Sequence, residues 1–332
     1  MWEGRFGVPG APSHSLPERR QPGPDRAALI DWAVDEAGRG TQSMRIGNLL
    51  KDGRIHLSCE VFPPKKFDGI AQAAAVAREI AALSPSFMSV TYGAAGKTPG
   101  HTLAIAEAVV EAGVTPLCHL TCLQSTKEHV RAVLGDMKRT GMENVLALRG
   151  DPPREGEPEH DFRYAAELIG FIHEQGDFCV GAACYPEGHP ESGGKRQDME
   201  YLRRKVDAGV DFLTTQMFFD NGILYNFLYR ALRAGIDVPV CAGIMPITDA
   251  RQVDRVVKLS GSIMPPRFAA IADRFADDPE AMAQAGIAFA TEQIIDLIAN
   301  GVTNIHLYTM NKPGITRAIV GNLSGILGKA AM

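Results

Sequence analysis

The chain has 332 residues, 45% of them hydrophobic, and a formal net charge of −5, enough to bury a large core as one α/β barrel or as two smaller domains. The acidic balance argues against nucleic-acid binding as its main business, and no apolar run reaches the roughly 18 residues that a membrane span needs. Cys59, Cys118, Cys122, Cys179, Cys184 and Cys241 are spread over predicted strands without CxxC spacing. That usage points to small core thiols in a soluble cytoplasmic protein, not to a disulfide framework.

Residues 1–43 stand apart from the rest. They contain no Lys and repeat Pro and Gly, as in Gly7-Val8-Pro9-Gly10 and Gln21-Pro22-Gly23-Pro24. They lack the apolar region of a signal peptide. Apart from one short helix over 26–37, this leader is expected to be disordered, with Met44 as the functional start.

A beat of strand and helix follows. Short apolar runs at 56–62, 87–92, 115–121, 144–149, 178–184, 212–218, 239–245 and 304–310 read as strands covered on both faces. Helical spacing occupies 70–83, 101–112, 126–140, 162–175, 198–208, 221–234 and 249–259, and the last interval holds two segments, 265–276 and 280–299. Eight strands alternating with helices predict a single (β/α)8 TIM barrel over 44–332. A doubly wound sheet predicts G-x-G-x-x-G after its first strand, where Phe62-Pro63-Pro64 stands instead. Gly96-Lys97-Thr98 is no P-loop, because Thr91 occupies the position of the required first glycine.

In a barrel the carboxyl ends of all strands ring one mouth, where ligands bind. Residues 146–153 break from an apolar run into Arg149-Gly150-Asp151-Pro152-Pro153, and two prolines cannot continue a ladder. Asp151 is therefore expected at a strand's carboxyl end, either as a functional carboxylate or as the opener of a turn. Glu60 lies inside an apolar strand, where it either salt-bridges across the barrel or has a raised pKa suited to proton donation. His119 does not share a face with Cys118 and Cys122, so it reads as a hydrogen-bonding residue at the mouth and not as a metal ligand. The polar loop 184–198 leads into a helix whose Asp198, Arg203, Arg204 and Lys205 form either a solvated face or a cationic patch for phosphates. Gln216, a two-way hydrogen-bonder beside aromatics, suits a flat heteroaromatic ring.

Together these motifs resemble the methylenetetrahydrofolate reductase family in its short bacterial form without a regulatory domain. The resemblance covers about residues 44–327 and rests on SCEVFPPK at 58–65, SVTYGA at 89–94, HLTC at 119–122, LRGDPP at 148–153, YPEGHPE at 185–191, RRKVDAG at 203–209, TTQMFFD at 214–220, GIMPI at 243–247 and YTMN at 308–311. It implies a barrel holding FAD at the carboxyl ends of the strands. NADH or NADPH would reduce the flavin, which passes hydride from N5 to 5,10-methylenetetrahydrofolate in a ping-pong cycle. On this resemblance Glu60 is the general acid that opens the imidazolidine ring, and Asp151 the carboxylate beside flavin and folate. Thr91, Tyr92, Ala94, His119, Arg149, Gly150, Tyr164 and Ala165 would contact the flavin and nicotinamide. Tyr185, His189, Asp198, Arg204 and Lys205 would hold the ribityl, phosphate and adenosine parts, while Gln216, Gln252 and Lys312 would contact substrate.

Three positions depart from the pattern. Lys312 stands where an Arg commonly binds the folate tail, keeping the charge but losing the bidentate fork. Met217 stands where an aromatic often stacks on substrate, and Tyr201 where an Asn often meets FAD. The alternatives are a proline-dehydrogenase-like flavin barrel, which gives no reason for Gln216 and Gln252, and a catalytically silent flavin-binding subunit, which loss of Glu60 or Asp151 would have signalled. A partner protein in place of nicotinamide as electron donor stays open, and a homo-oligomer is expected.

Overall fold

The computed structural model describes residues 44–64, 67–92, 99–123, 125–151 and 161–328. Ala94, the leader 1–43, Gly96-Lys97-Thr98 and Pro152-Pro153 lie outside the described residues.

The predicted beat becomes eight parallel strands that close in sequence order into a barrel. They are β1 (His56–Val61), β2 (Met88–Val90), β3 (Pro116–Thr121), β4 (Asn144–Leu148), β5 (Cys179–Cys184), β6 (Phe212–Thr215), β7 (Val240–Ile244) and β8 (Asn304–Tyr308). Around them run α1 (Ile46–Leu49), α2 (Ile70–Ala81), α3 (Pro99–Glu111), α4 (Lys127–Arg139), α5 (Ala165–Gln175), α6 (Lys195–Asp207), α7 (Asn221–Arg233), α8 (Gln252–Ser260), α9 (Pro266–Arg274), α10 (Pro279–Ala299), α11 (Pro313–Asn322) and α12 (Ser324–Leu327). None of the helices among the described residues is long and apolar enough to cross a membrane.

Side chains alternate across each strand. One set, including Cys59, Val61, Met88, Val90, Cys118, Val145, Val180, Leu213, Ile244 and Leu307, joins the apolar layer under the helices. Burying each large side chain of this kind is worth roughly 1.5–3 kcal/mol. The other set faces the barrel axis. Its lower part is apolar: Phe87, Leu117, Leu146, Cys179, Phe212 and Cys241 pack with Ile46 and Leu50. Ile46 is pinned by its N–H to Asn144 Oδ1 at 2.9 Å and the turn after α1 by Asn304 Nδ2 to Leu50 O at 3.2 Å, so α1 closes the amino-terminal end of the barrel.

Two glycines make room for rings inside. A Cβ on Gly181 would stand 2.5 Å from the Phe212 ring, and one on Gly243 2.7 Å from the Tyr308 ring. Small residues on one strand thus accept large ones from the next.

Several boundaries differ from the sequence reading. β6 stops at Thr215, short of residue 218, because Gln216 turns its amide back to accept from Met217 N at 2.9 Å. α6 begins at Lys195, three residues before the expected 198. α11 went unanticipated, although Pro313 in its first turn and buried Thr316, Ile319 and Val320 carry the signal.

Candidate active site

Glu60 lies next to the end of β1, level with Ser89 on β2 and Tyr308 on β8. Its carboxylate is mostly covered, 19% exposed. Ser89 Oγ donates to Oε2 at 3.4 Å, and His119 Nε2 and His306 Nε2 lie 3.5 and 3.7 Å from the same oxygen. Burial pushes the Glu60 carboxyl up, but the nearby His306 and His119 rings and the Ser89 hydroxyl together outweigh it, and the balance is downward. This corrects the expectation of a raised pKa in the ligand-free protein: the opposing groups come from three other strands, which the run of β1 does not reveal.

His119 faces inward from β3, on the opposite side from Cys118 and Cys122, as alternation requires. Burial drives its pKa down to about 4 against the pull of Glu60, so the ring is neutral at neutral pH. Among the described residues its buried Nε2 has no hydrogen-bond partner. Such an orphaned buried atom is rare, and it leaves this point of the wall able to bond a polar group.

The rim on the β4 and β5 side is built around Arg149. Its guanidinium grips Glu191 with two bonds of 2.6 and 2.7 Å, tying the loop after β5 to the end of β4. Gly150 takes φ +80, and a Cβ there would stand 2.9 Å from Thr121 Cβ, so only glycine leaves this approach open. Asp151 follows, exposed to solvent at the mouth. Tyr185 meets His189 edge-to-face at 4.6 Å. Burial raises the Tyr185 phenol to about 12 and lowers the His189 imidazole, the nearby Arg149 charge opposing the first and reinforcing the second. Asp198 is buried at the start of α6, its pKa raised by burial against the His189 backbone N–H.

Lys205 and Arg204, expected to act together, diverge. Lys205 reaches inward to the Ala183 carbonyl and burial lowers its pKa, whereas Arg204 is exposed and lies 5.4 Å over the Tyr201 ring. Tyr164 is exposed at the amino terminus of α5, which begins at Ala165. Thr91 and Tyr92 follow β2. Thr91 carries two backbone hydrogen bonds, N–H to Val61 O at 3.0 Å and O from Thr102 Oγ1 at 3.0 Å, and Tyr92 hydroxyl lies 2.7 Å from His129 Nε2.

The β6–β8 side supplies the remaining predicted residues. Half-buried Gln216 has its N–H on Cys184 O at 2.7 Å. Tyr308 donates to Thr215 O at 2.6 Å. Lys312 Nζ donates to Thr248 Oγ1 at 3.1 Å, and Gln252 Oε1 accepts from Thr248 N at 3.3 Å, so Thr248 joins the two substrate candidates. Asn311 braces this corner by bonding both backbone groups of Phe62, at 3.0 and 2.9 Å, while it and Met310 adopt left-handed φ values of 53 and 52.

Sequence reasoning missed Ser58, Ser89 and His306 as neighbours of Glu60, and Glu191 as the partner of Arg149. Alternation offered the signal for the first three: they fall on the inward parity of β1, β2 and β8. Glu191 carried none, since loop geometry decides its reach. Among the described residues no cluster of three or more His, Cys, Asp or Glu is arranged to hold a metal.

A family model described as methylenetetrahydrofolate reductase matches residues 45–324. The 5,10-methylenetetrahydrofolate reductase of Pectobacterium carotovorum subsp. carotovorum is 34% identical over 273 residues, covering 82% of this chain and 91% of that protein. The protein of the same description from Escherichia coli K12 is likewise 34% identical over 273 residues. Methylenetetrahydrofolate reductase (NADH) 1 of Arabidopsis thaliana is 34% identical over 295 residues, 84% of this chain and 50% of the plant protein. Among solved structures, an uncharacterized protein from Clostridium thermocellum that binds two copies of 5-methyl-5,6,7,8-tetrahydrofolic acid has a TM-score of 0.62 at 12% identity, over 86% of this chain and 99% of that one. That last likeness is one of fold.

Proposed function

The chain belongs to the methylenetetrahydrofolate reductase family, and we propose that it reduces 5,10-methylenetetrahydrofolate to 5-methyltetrahydrofolate with FAD as cofactor and NADH or NADPH as donor, in a ping-pong cycle feeding methionine synthesis. The observation that carries this reading is the inward-facing set of Glu60, Ser89, His119 and His306 beneath a mouth rimmed by Arg149, Asp151, Gln216 and Lys312. The orphaned His119 Nε2 fits the polar edge of a flavin ring. Bound FAD would supply the two-electron store that links nicotinamide to folate. The relatives named 5,10-methylenetetrahydrofolate reductase and the plant relatives named for NADH support the substrate and donor classes.

In this proposal the residues divide the work by position. Glu60 delivers a proton to the substrate nitrogen that leaves when the imidazolidine ring opens. A flat ligand over the mouth excludes water from the carboxyl, which shifts its balance toward the protonated form. The Asp151 carboxylate places negative charge where the cationic substrate iminium develops. Gln216 offers an amide to the heterocycle edge, while Lys312 with Thr248 and Gln252 presents a cationic corner to the carboxylate tail. Tyr185, His189, Asp198, Arg204 and Lys205 line the approach for the cofactor's distal part, Arg204 from the exposed face of α6. We assign residues 44–332 as one catalytic unit in a cytoplasmic homo-oligomer, with a partner electron-donor protein as the alternative to nicotinamide.

Anaerobic stopped-flow absorbance in the visible flavin band tests the reading. The purified protein is mixed with NADH or NADPH and then with methylenetetrahydrofolate. Bleaching followed by folate-dependent recovery is expected. A yellow protein that neither nicotinamide bleaches but that folate reoxidises after chemical reduction identifies a protein donor. A colourless protein that cannot be reconstituted with FAD refutes the proposal.

A further inference from the structure

The polar groups around Glu60 form a line whose hydrogens can be counted. Ser58 Oγ lies 2.7 Å from His306 Nδ1 and 3.1 Å from Ile305 O, so it accepts from Nδ1–H when its one hydrogen is turned to the carbonyl. With Nδ1–H so placed, His306 turns Nε2 toward Ser89 Oγ, 3.3 Å away. Ser89 Oγ in turn lies 3.4 Å from Glu60 Oε2. The direct distance from Nε2 to Oε2 is 3.7 Å, too long for a hydrogen bond. The ring is 1% exposed, stacked on Phe87 at 6.1 Å and edge-on to Tyr308 at 5.3 Å, which fixes it in this orientation.

We propose that Ser89 relays one proton between His306 and Glu60, making His306 the internal proton store of the acid. Two arrangements satisfy every group in the line. In one, imidazolium Nε2–H donates to Ser89 Oγ, and Ser89 donates to the Glu60 carboxylate. In the other, Glu60 carries the proton and donates to Ser89, which donates to neutral Nε2. Passing between them breaks the Nε2–H bond and forms a Ser89 O–H, while the old Ser89 O–H breaks and a Glu60 O–H forms. No electrons move, and the line holds the same number of hydrogens throughout. Once the proton has left for substrate, the line is one hydrogen short until another proton enters through the mouth.

Of the remaining titratable groups around this line, His119 on β3 is held neutral by burial at neutral pH, with a pKa of about 4, and takes up a proton only in the acid range that Glu60 shares. Tyr308 on β8 is pushed well above its ordinary range by burial and by Glu60, and Cys184, Tyr185 and Cys241 are raised by burial too. At neutral pH all of them are uncharged.

The catalytic meaning of the relay rests on the reductase reading, but the relay can be tested without it. In the ligand-free protein, NMR titration follows the Glu60 carboxyl carbon and the His306 ring nitrogens, assigned with Glu60→Gln and His306→Gln. The wild type is expected to show shared inflections at both groups. Ser89→Ala is expected to separate them, and Ser89→Thr, which restores a hydroxyl, to rejoin them. Purely electrostatic coupling survives Ser89→Ala, so superposable curves for wild type and Ser89→Ala overturn the proposal. If Ser89→Ala does not fold, Ser89→Val, which matches Thr in shape but has no hydroxyl, decides against Ser89→Thr: inflections still shared in Ser89→Val overturn the proposal. In flavin-loaded enzyme Ser89→Ala is expected to slow the folate half-reaction about tenfold and spare the nicotinamide half-reaction. Loss of coupling in a chain that reduces no folate would leave the relay standing and remove the reductase reading.

Discussion

Acidification of the ligand-free protein from about pH 7 to about pH 5 is expected to cost about 2 kcal/mol of stability through His119 alone. Burial lowers the folded pKa from 6.5 to about 4. Folding therefore favours the neutral ring. Stability from this residue is complete above the unfolded value and is lost as pH falls from 6.5 toward 4, because only the unfolded chain takes up the proton there. The slope approaches 1.36 kcal/mol per pH unit, and about 1.5 units of that interval lie above pH 5. Glu60, whose carboxyl is held below its usual range, loses its contribution only below 4.5, while His189 is also lowered by burial, so the difference between wild type and a His119 variant, not the total loss, isolates this imidazole. Urea unfolding of wild type and His119→Gln at both pH values measures the difference. The variant is expected to lose about 2 kcal/mol less than wild type on acidification. Equal losses in the two proteins would refute the burial account of this histidine.

Other perturbations follow from the same geometry. Gly243→Ala puts a Cβ 2.5 Å from Thr215 O and 2.8 Å from the Tyr308 hydroxyl; unfolding is expected to show a loss of about 2–4 kcal/mol, and a change under about 1 kcal/mol would mean that the ring can move aside. Glu60→Gln is expected to keep nicotinamide-driven flavin reduction while slowing folate reduction by about 100-fold or more; an equal fall in both half-reactions, read by stopped-flow, would remove its acid role. Lys312→Ala is expected to raise the folate KM several-fold and leave nicotinamide kinetics unchanged, with an unaltered KM counting against a tail-binding role.

The barrel was readable because the strands keep strict alternation and most carry near-continuous apolar runs, so type and order of elements follow from local pattern. Glu60, His119 and Gln216 were readable as inward residues near strand ends for the same reason. What escaped depended on neighbours far apart in the chain. Ser89 and His306 are 217 positions apart yet lie 3.3 Å from each other, and their effect on Glu60 reversed the direction expected from its apolar flanks. The grip of Arg149 on Glu191 and the divergence of Arg204 from Lys205 likewise depend on loop path and helix rotation. Ala94 and the Pro152-Pro153 turn lie outside the described residues.

The stopper formed by Ile46 and Leu50 gives the barrel the character of a flask with one neck. Among the described residues, Phe87, Leu117, Phe212 and Cys241 above it are fully buried, so water does not reach this layer through the base they form. Isotope supplied from solvent must arrive through the upper opening, and a snug molecule seated there acts as a cork. Deuterium placed on the interior hydroxyls before the cork is seated should then persist for as long as it stays. Residence time at the neck thus becomes the clock for exchange deep inside, and loosening the stopper with Ile46→Ala would start a second clock from below.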